Sequence, residues 1–324
     1  MKELYKKYFL SQKMMHPLIK MLLAMLVFSV YFYGWRALVL AVFNIVIAVI
    51  TEHHCEKLIY KRNKVSEAAI VTALLYTMTL PATLPFWMSA VGIIVAIFFG
   101  KSVFGGFGRN PFNPALVGRA FIYVNFPQAL TIYWNQTMES LTFPGGFGTY
   151  QFPLIDEIST ATPMMQFKAQ GIIPHFERLL IGNVPGVIGE TPKIIIIIFA
   201  IILIYKKIAS WQIMAGSFAG FFALSFIFNA MGVESVPNPI YGIFLGGFLL
   251  GTVFMATDPV SAAKTVQGKW LYGIIIGAVT VIIRGFALFS GGVMFAILIG
   301  NIFAPIIDYV IRERQKKKKE AAAA

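Results

Sequence analysis

The sequence holds one cysteine, Cys55, in 324 residues. A lone thiol excludes an internal disulfide, a four-thiolate zinc site and a self-contained iron–sulfur cluster. The four histidines (His16, His53, His54 and His175) are too few and too scattered to ligate haems. Charge is scarce too: 13% of residues are Asp, Glu, Lys or Arg, against about 25% in an ordinary soluble domain. Acids are scarcest, 14 against 27 Lys and Arg. With 58% hydrophobic residues and a mean hydropathy of +0.74, these deficits exclude a soluble enzyme, a disordered chain and a nucleic-acid reader. In a chain this apolar, basic loops set membrane orientation rather than bind nucleic acid. No small-residue cleavage pattern follows the first apolar run, which reads as a retained span rather than a signal peptide.

What the sequence has in abundance is long hydrophobic segments. A transmembrane helix needs roughly 20 mostly apolar residues, and about ten segments qualify. They cover 18–35, 37–52, 66–80, 86–104, 113–130, 193–206, 210–231, 238–256, 270–288 and 289–310. Several are interrupted by Pro or Gly, as at Leu80-Pro81 and Asn113-Pro114. The loop charges fit this count. Lys and Arg cluster before residue 20, at Lys57 to Lys64, at Lys101, Arg109 and Arg119, at Lys206-Lys207, at Lys264 and Lys269, and in the tail Arg312 to Lys319. All fall on one side of the membrane, whereas Arg36, Lys168, Arg178, Lys193 and Arg284 fall on the other. The bias places both termini in the cytoplasm.

The expected organisation is a first five-helix block over 1–126, a connection over 127–192 on the periplasmic face, a second block over 193–311 and a basic tail over 312–324. The tail is a solvated stop that fixes orientation, or a contact with anionic lipid. An odd number of spans per block gives the halves opposite polarity, so the pattern suits an inverted repeat. Leu74-Leu75-Tyr76-Thr77 before Pro81 echoes Leu249-Leu250-Gly251-Thr252 before Pro259.

Chemistry concentrates in a few segments. In KSVFGGFGRNPFNPALVGRAF, residues 101–121, glycines and Pro111 and Pro114 forbid an uninterrupted helix. Irregular backbone at membrane depth must be buried in protein or line a polar cavity. Asn110 and Asn113 offer amides suited to a polar heterocycle; the plain alternative is a tight loop with capping asparagines. In FMATDPVSAAKT, residues 254–265, Thr257 or Asp258 is placed to cap a half-helix starting at Pro259. Asp258, Asp308 and Glu67 are candidates for an ion path, or ordinary helix-end groups. DEISTATPMMQF, residues 156–167, sets Asp156 and Ser159 before Thr162, with small Ala161 beside its hydroxyl. Its plain reading is a polar turn with Ser159 or Thr160 as a cap. GNVPGVIGET, residues 182–191, carries Gly182, Gly186 and Gly189, whose amides suit a phosphate nest or a ligand-free re-entrant loop. Adjacent His53-His54-Cys55 is poorly spaced for one metal. Arg284 is expected to snorkel to the headgroups.

Taken together, FGGFGRNPFNPALVGRAF, GNVPGVIGET, the KIASWQIMAG stretch from Lys207 and FMATDPVSAAKT resemble, in order, the signatures of one family. These are the membrane subunits RnfD and NqrB of the ferredoxin:NAD and sodium-pumping NADH:quinone oxidoreductases. The resemblance covers about residues 20–312, and the compact length looks more like RnfD. It implies an all-α integral membrane fold of two inverted five-helix repeats with broken helices, urea-transporter-like. It implies FMN held by a phosphoester at Thr162, with Asp156, Ser159, Thr160 and Ala161 as the attachment context. Thr160 stands where Gly or Ser is frequent. It further implies a non-covalent riboflavin near Asn110 and Asn113. The implied partners are the other membrane and flavin or iron–sulfur subunits of an Rnf complex in the bacterial inner membrane, and a flavin transferase acting outside the cytoplasm. Ion movement, Na⁺ or H⁺, would accompany electron transfer. The competing expectations are an NqrB-type subunit and a non-redox channel of the same architecture.

Overall fold

The computed structural model describes residues 8–131, 144–150, 162–190, 193–287 and 291–323. Asp156, Ser159, Thr160 and Ala161 lie outside the described residues. Helices α1 (Met15–Tyr33), α2 (Trp35–Tyr60), α3 (Glu67–Met78), α4 (Phe86–Phe98) and α5 (Pro114–Asn125) come first. Three short helices follow: α6 (Pro127–Thr131), α7 (Pro163–Gln170) and α8 (Phe176–Ile181). The rest are α9 (Lys193–Tyr205), α10 (Trp211–Ala230), α11 (Pro239–Phe244), α12 (Phe248–Leu250), α13 (Val266–Phe286) and α14 (Gly292–Ala323). A two-residue parallel pairing of Phe9–Leu10 with Val65–Ser66 is the sheet found among the described residues.

Helix lies within each hydrophobic segment, but not at equal length. Among the described residues, six helices are long and apolar enough to cross a membrane: Met15–Tyr33, Trp35–Tyr60, Phe86–Phe104, Trp211–Ala230, Val266–Phe286 and Gly292–Ala322. Glu67–Met78 and Lys193–Tyr205 are apolar but shorter. The protein is thus an all-α, multi-pass membrane protein. The third segment of each series is the broken one. α3 ends ahead of Pro81, which lacks an N–H and disfavours helix at its neighbour. The later segment breaks around Gly246, whose φ of 60° is left-handed. It resumes as α12 and widens into a π-helical turn over Gly251–Met255, where the Ala256 N–H reaches back to the Gly251 carbonyl at 2.7 Å.

The chain divides into two compact units: 1–110, 114–199 and 245–247 form the first, and 111–113, 200–244 and 248–324 the second. The helices are apolar all round, as lipid-facing helices are. α1, for example, buries Met25 and Leu26 while exposing Leu23 and Val27. In the first unit a buried polar triad joins three helices. The Asn44 amide donates to Thr77 Oγ1 at 2.9 Å, and the Ser89 hydroxyl donates to Asn44 Oδ1 at 2.7 Å. Such bonds hold helices together where apolar contact alone gains nothing over lipid.

In the second unit α10 crosses α13 through facing glycines, Gly216 and Gly220 against Gly273 and Gly277. A Cβ at Gly277 would collide with the Ser217 carbonyl, and one at Gly220 with the Ile274 carbonyl. Small residues four apart on both helices let the backbones touch. Gly277→Leu is expected to force this crossing apart. A loss of about 1–3 kcal/mol or more, read as a lower thermal midpoint in detergent, tests it; an unchanged midpoint would show that the helices do not need this approach.

Candidate functional site

Thr162 opens α7. Its backbone is extended (φ −62°, ψ 156°), and Oγ1 accepts the Met165 N–H at 3.4 Å while its carbonyl accepts from Gln166 at 2.9 Å. The cap of this described helix is therefore the threonine expected to carry the cofactor. Pro163 follows at the first helical position, where its missing N–H costs nothing. Thr162 is largely buried in the isolated chain, 7% exposed. FMN joined at Oγ1 would set phosphate oxygens at the positive end of an eight-residue helix, close to the Met165 N–H that Oγ1 already accepts. The residue present fits a phosphoester.

The glycine-rich run holds Gly105, Gly106 and Gly108 at φ of 110°, 84° and 88°, values that L side chains rarely adopt. The run is fastened to the end of α2. Lys101 Nζ lies 2.7 Å from Glu52 Oε2 and 2.6 Å from Ser66 Oγ, and Ser66 Oγ donates to Glu52 Oε1 at 2.7 Å. The Tyr60 hydroxyl donates to the Ser102 carbonyl at 2.6 Å. Asn110, which follows in the first unit, is buried. Asn113, in the second unit, donates its N–H to Asn301 Oδ1 at 3.1 Å and its side-chain amide to the Met255 carbonyl at 3.2 Å. Asn301 in turn donates to the Ser261 carbonyl and to the Tyr272 hydroxyl, at 3.2 and 2.8 Å. Sequence reasoning missed Asn301 and the Glu52–Lys101 pair; the signal was a polar residue inside an apolar helix.

The three acids of the proposed ion path are all engaged. Asp258 accepts from the N–H groups of Val260 and Ser261 at 3.4 and 3.3 Å and from Ser261 Oγ at 2.7 Å. These bonds close a local turn, so no half-helix starts at Pro259; the next helix begins at Val266, capped by Thr265. The Thr257 hydroxyl donates to the Val253 carbonyl at 2.7 Å instead of capping. Asp308 on α14 receives the N–H groups of Lys264 and Thr265 and the Thr265 hydroxyl, at 2.7, 2.9 and 2.6 Å. It pins the start of α13. Glu67, fully buried, accepts from the Gln12 N–H at 2.6 Å and meets His16 Nε2 at 2.9 Å.

The loop of Gly182, Gly186 and Gly189 is packed into the first unit. The Ile188 N–H donates to the Leu80 carbonyl at 2.9 Å. Ser29 Oγ donates to the Ile188 carbonyl at 2.7 Å, and the Tyr33 hydroxyl reaches the Val184 carbonyl at 3.4 Å. Gly182 ends α8 at φ 90°. Glu190 lies so close that a Cβ on Gly186 would stand 2.7 Å from its Oε2. A phosphate at Gly186 would meet this carboxylate.

Arg284 does not snorkel. It is 1% exposed, and its Nη1 donates to the Gly242 carbonyl at 2.7 Å. The interrupted helix leaves carbonyls that need donors, which outweighs the pull of the headgroups. His54 Nδ1 stays with the Ile50 carbonyl of its own helix at 2.8 Å, and no metal-binding cluster occurs among the described residues.

The Glu52–Lys101 pair yields a quantitative expectation. Lys101→Met alone strands a buried carboxylate and should cost about 3–5 kcal/mol. Adding Glu52→Gln should recover most of the loss in thermal midpoint. A double variant no better than the single would show that the two side chains do not act as a pair.

Comparison with known proteins matches this chain to a group. The family model described as the NQR2, RnfD, RnfE family matches residues 5–317. Among relatives, the NqrB subunit of the Na⁺-translocating NADH-quinone reductase of Yersinia pestis is 34% identical over 281 residues, covering 81% of this chain and 63% of the relative. The corresponding subunit of Chromohalobacter salexigens is 39% identical over 272 residues, with 80% and 62% covered. That of Haemophilus influenzae strain PittEE is 36% identical over 280 residues, with 81% and 64% covered. The chain thus spans just under two thirds of the length of these relatives. The family match runs through the glycine-rich loop, the segment after Thr162 and the broken third helices alike, and the chain belongs to the NQR2, RnfD, RnfE family.

Proposed function

We propose that this protein is the flavin-carrying membrane subunit of a redox-driven ion translocase, of the ferredoxin:NAD (Rnf) type and not catalytic alone. The observation that carries the reading is Thr162. Its hydroxyl stands at the N-terminus of α7, directly after the DEISTA run, in a chain matched to the family almost end to end. In this proposal Thr162 holds FMN through a phosphoester, and Asp156, Ser159, Thr160 and Ala161 form the context read by a flavin transferase. Asn110 and Asn113 bind a second flavin, riboflavin. Flavins, when bound, supply one- and two-electron redox chemistry.

The chain's own residues do the rest. The α7 N-terminus stabilises negative charge at Thr162. In this proposal Asn110 and Asn113 would offer amide groups to a heterocycle edge, the Asn113 amide beside its present bond to the Met255 carbonyl. Asp258, Asp308 and Glu67 are the acids proposed for the Na⁺ or H⁺ path. Each charge crossing the membrane is worth about 2.3 kcal/mol per 100 mV, which is the work that electron transfer must supply. Both termini are assigned to the cytoplasm and Thr162 to the outer face of a bacterial inner membrane, following the distribution of Lys and Arg. Two inverted five-helix repeats are the proposed architecture; an interrupted third segment in each series supports it. The partners are other membrane and flavin or iron–sulfur subunits. A second reading, a subunit of a sodium-pumping NADH:quinone oxidoreductase, is favoured by the names of the relatives.

In-gel ultraviolet fluorescence tests the central assignment. The wild-type band, made alongside a flavin transferase, should fluoresce after denaturation. Thr162→Ala should be dark while still inserting, with a stability cost of about 1 kcal/mol for the lost cap. A dark wild-type band would reject the reading in favour of a non-redox channel. Reduction of the bound flavin by ferredoxin, rather than by NADH with quinone as acceptor, would separate the Rnf from the quinone type. Replacing Asn110 and Asn113 by Leu should release a non-covalent flavin and spare the fluorescent band; retention of both flavins would remove the asparagines from the site.

A further inference from the structure

In each series of helices the third hydrophobic segment is interrupted, and in each an arginine from another helix donates to the main chain beside the interruption, Arg36 to three carbonyls and Arg284 to one. In the first unit α3 stops at Met78, and residues 79–84 turn toward α4 while buried. The Leu80 carbonyl is taken by Ile188. The carbonyls of Ala82, Thr83 and Leu84 converge on the guanidinium of Arg36, the second residue of α2. Nε donates to Ala82 at 2.7 Å, and Nη2 to Leu84 at 3.0 Å and Thr83 at 3.5 Å. Nη1 reaches the Tyr150 hydroxyl at 3.4 Å, and the Phe86 ring centroid lies 4.8 Å from Cζ. Arg36 is 3% exposed. These neighbours of its guanidinium are carbonyls, a hydroxyl and a ring face, all uncharged.

The second unit has a simpler counterpart on a different helix, with one carbonyl in place of three. Arg284, near the end of α13, donates to the Gly242 carbonyl of α11, and the Phe221 and Phe248 rings lie 5.6 and 5.9 Å from its Cζ. Converging carbonyls at a broken helix, flanked by aromatic faces, are an environment that holds alkali cations in membrane proteins. The Arg36 guanidinium occupies such a place, and the Arg284 guanidinium takes the one carbonyl of Gly242 near the end of α11, between two aromatic rings. Its charge is permanent, since arginine does not deprotonate in proteins, and a fixed positive charge repels mobile cations.

We propose that Arg36 and Arg284 are tethered cations, which fill the carbonyl sites at the two interruptions and hold each unit closed to free Na⁺. Such plugs keep the membrane tight, so that ion movement occurs only when coupled. Neither flavin is needed for this role, which rests on the chain spanning a membrane and on the carbonyl contacts of Arg36 and, at Gly242, of Arg284.

The test is passive entry of radioactive Na⁺ into vesicles holding the assembled complex, with no electron donor present. Arg36→Ala should raise entry about tenfold or more over wild type, because the exposed carbonyls now accept Na⁺. Added guanidinium ion at millimolar concentration should restore tightness by refilling the site, and Arg36→Lys should stay tight. Vesicles with Arg36→Ala as tight as wild type would overturn the proposal. So would entry of sucrose alongside Na⁺, which would mean general loss of packing. Arg284→Gln provides a second, independent arm with the same two overturning results. In-gel fluorescence at Thr162 in the same preparations separates this outcome from any failure of the flavin assignment.

Discussion

The rest of the structure depends on one constraint: in a membrane-spanning chain, every backbone N–H and C=O must find a partner within the protein. Continuous helices meet it by themselves. The two interrupted segments cannot, and much of the buried polarity of this protein answers to them. Arg36 and Ile188 take up the carbonyls freed after α3, and Arg284 takes one from α11. Asp258 collects the N–H groups of the turn at Pro259, and Asp308 those at the start of α13. The residues most conspicuous as chemistry in an apolar sequence therefore also serve the main chain.

This double service bears on function. An acid that clamps N–H groups is held in one geometry, because hydrogen bonds to a carboxylate are among the strong ones. Glu67 joins the start of α3 to residues 12 and 16, and Asp308 joins α14 to α13. A change of charge near either acid would be felt by a helix end, not by an isolated side chain.

The glycines divide along similar lines. Those at 105, 106 and 108 are required by left-handed backbone. Those at 216, 220, 273 and 277 are required by close approach of two helices, because a methyl group would strike backbone atoms of the facing helix. The first kind shapes a loop beside Asn110, and the second makes a rigid crossing in the other unit.

Composition and hydropathy alone determined that the chain is an all-α, multi-pass membrane protein, and short motifs placed it in its family. They did so because insertion into lipid is governed by summed transfer free energy and because Pro and Gly act locally on backbone angles. The local pattern put a cap at Ser159 or Thr160 and only the resemblance singled out Thr162, whereas among the described residues it is Thr162, before Pro163, that caps α7. Only the tertiary structure decided which polar groups meet. Arg284 turned inward to Gly242 rather than outward to the headgroups, Asp258 closed a turn rather than starting a helix, and Lys101 found Glu52 across 49 residues of sequence. Such pairings are set by which helices pack side by side, and the driving force for that packing is spread over many apolar contacts that no single residue announces.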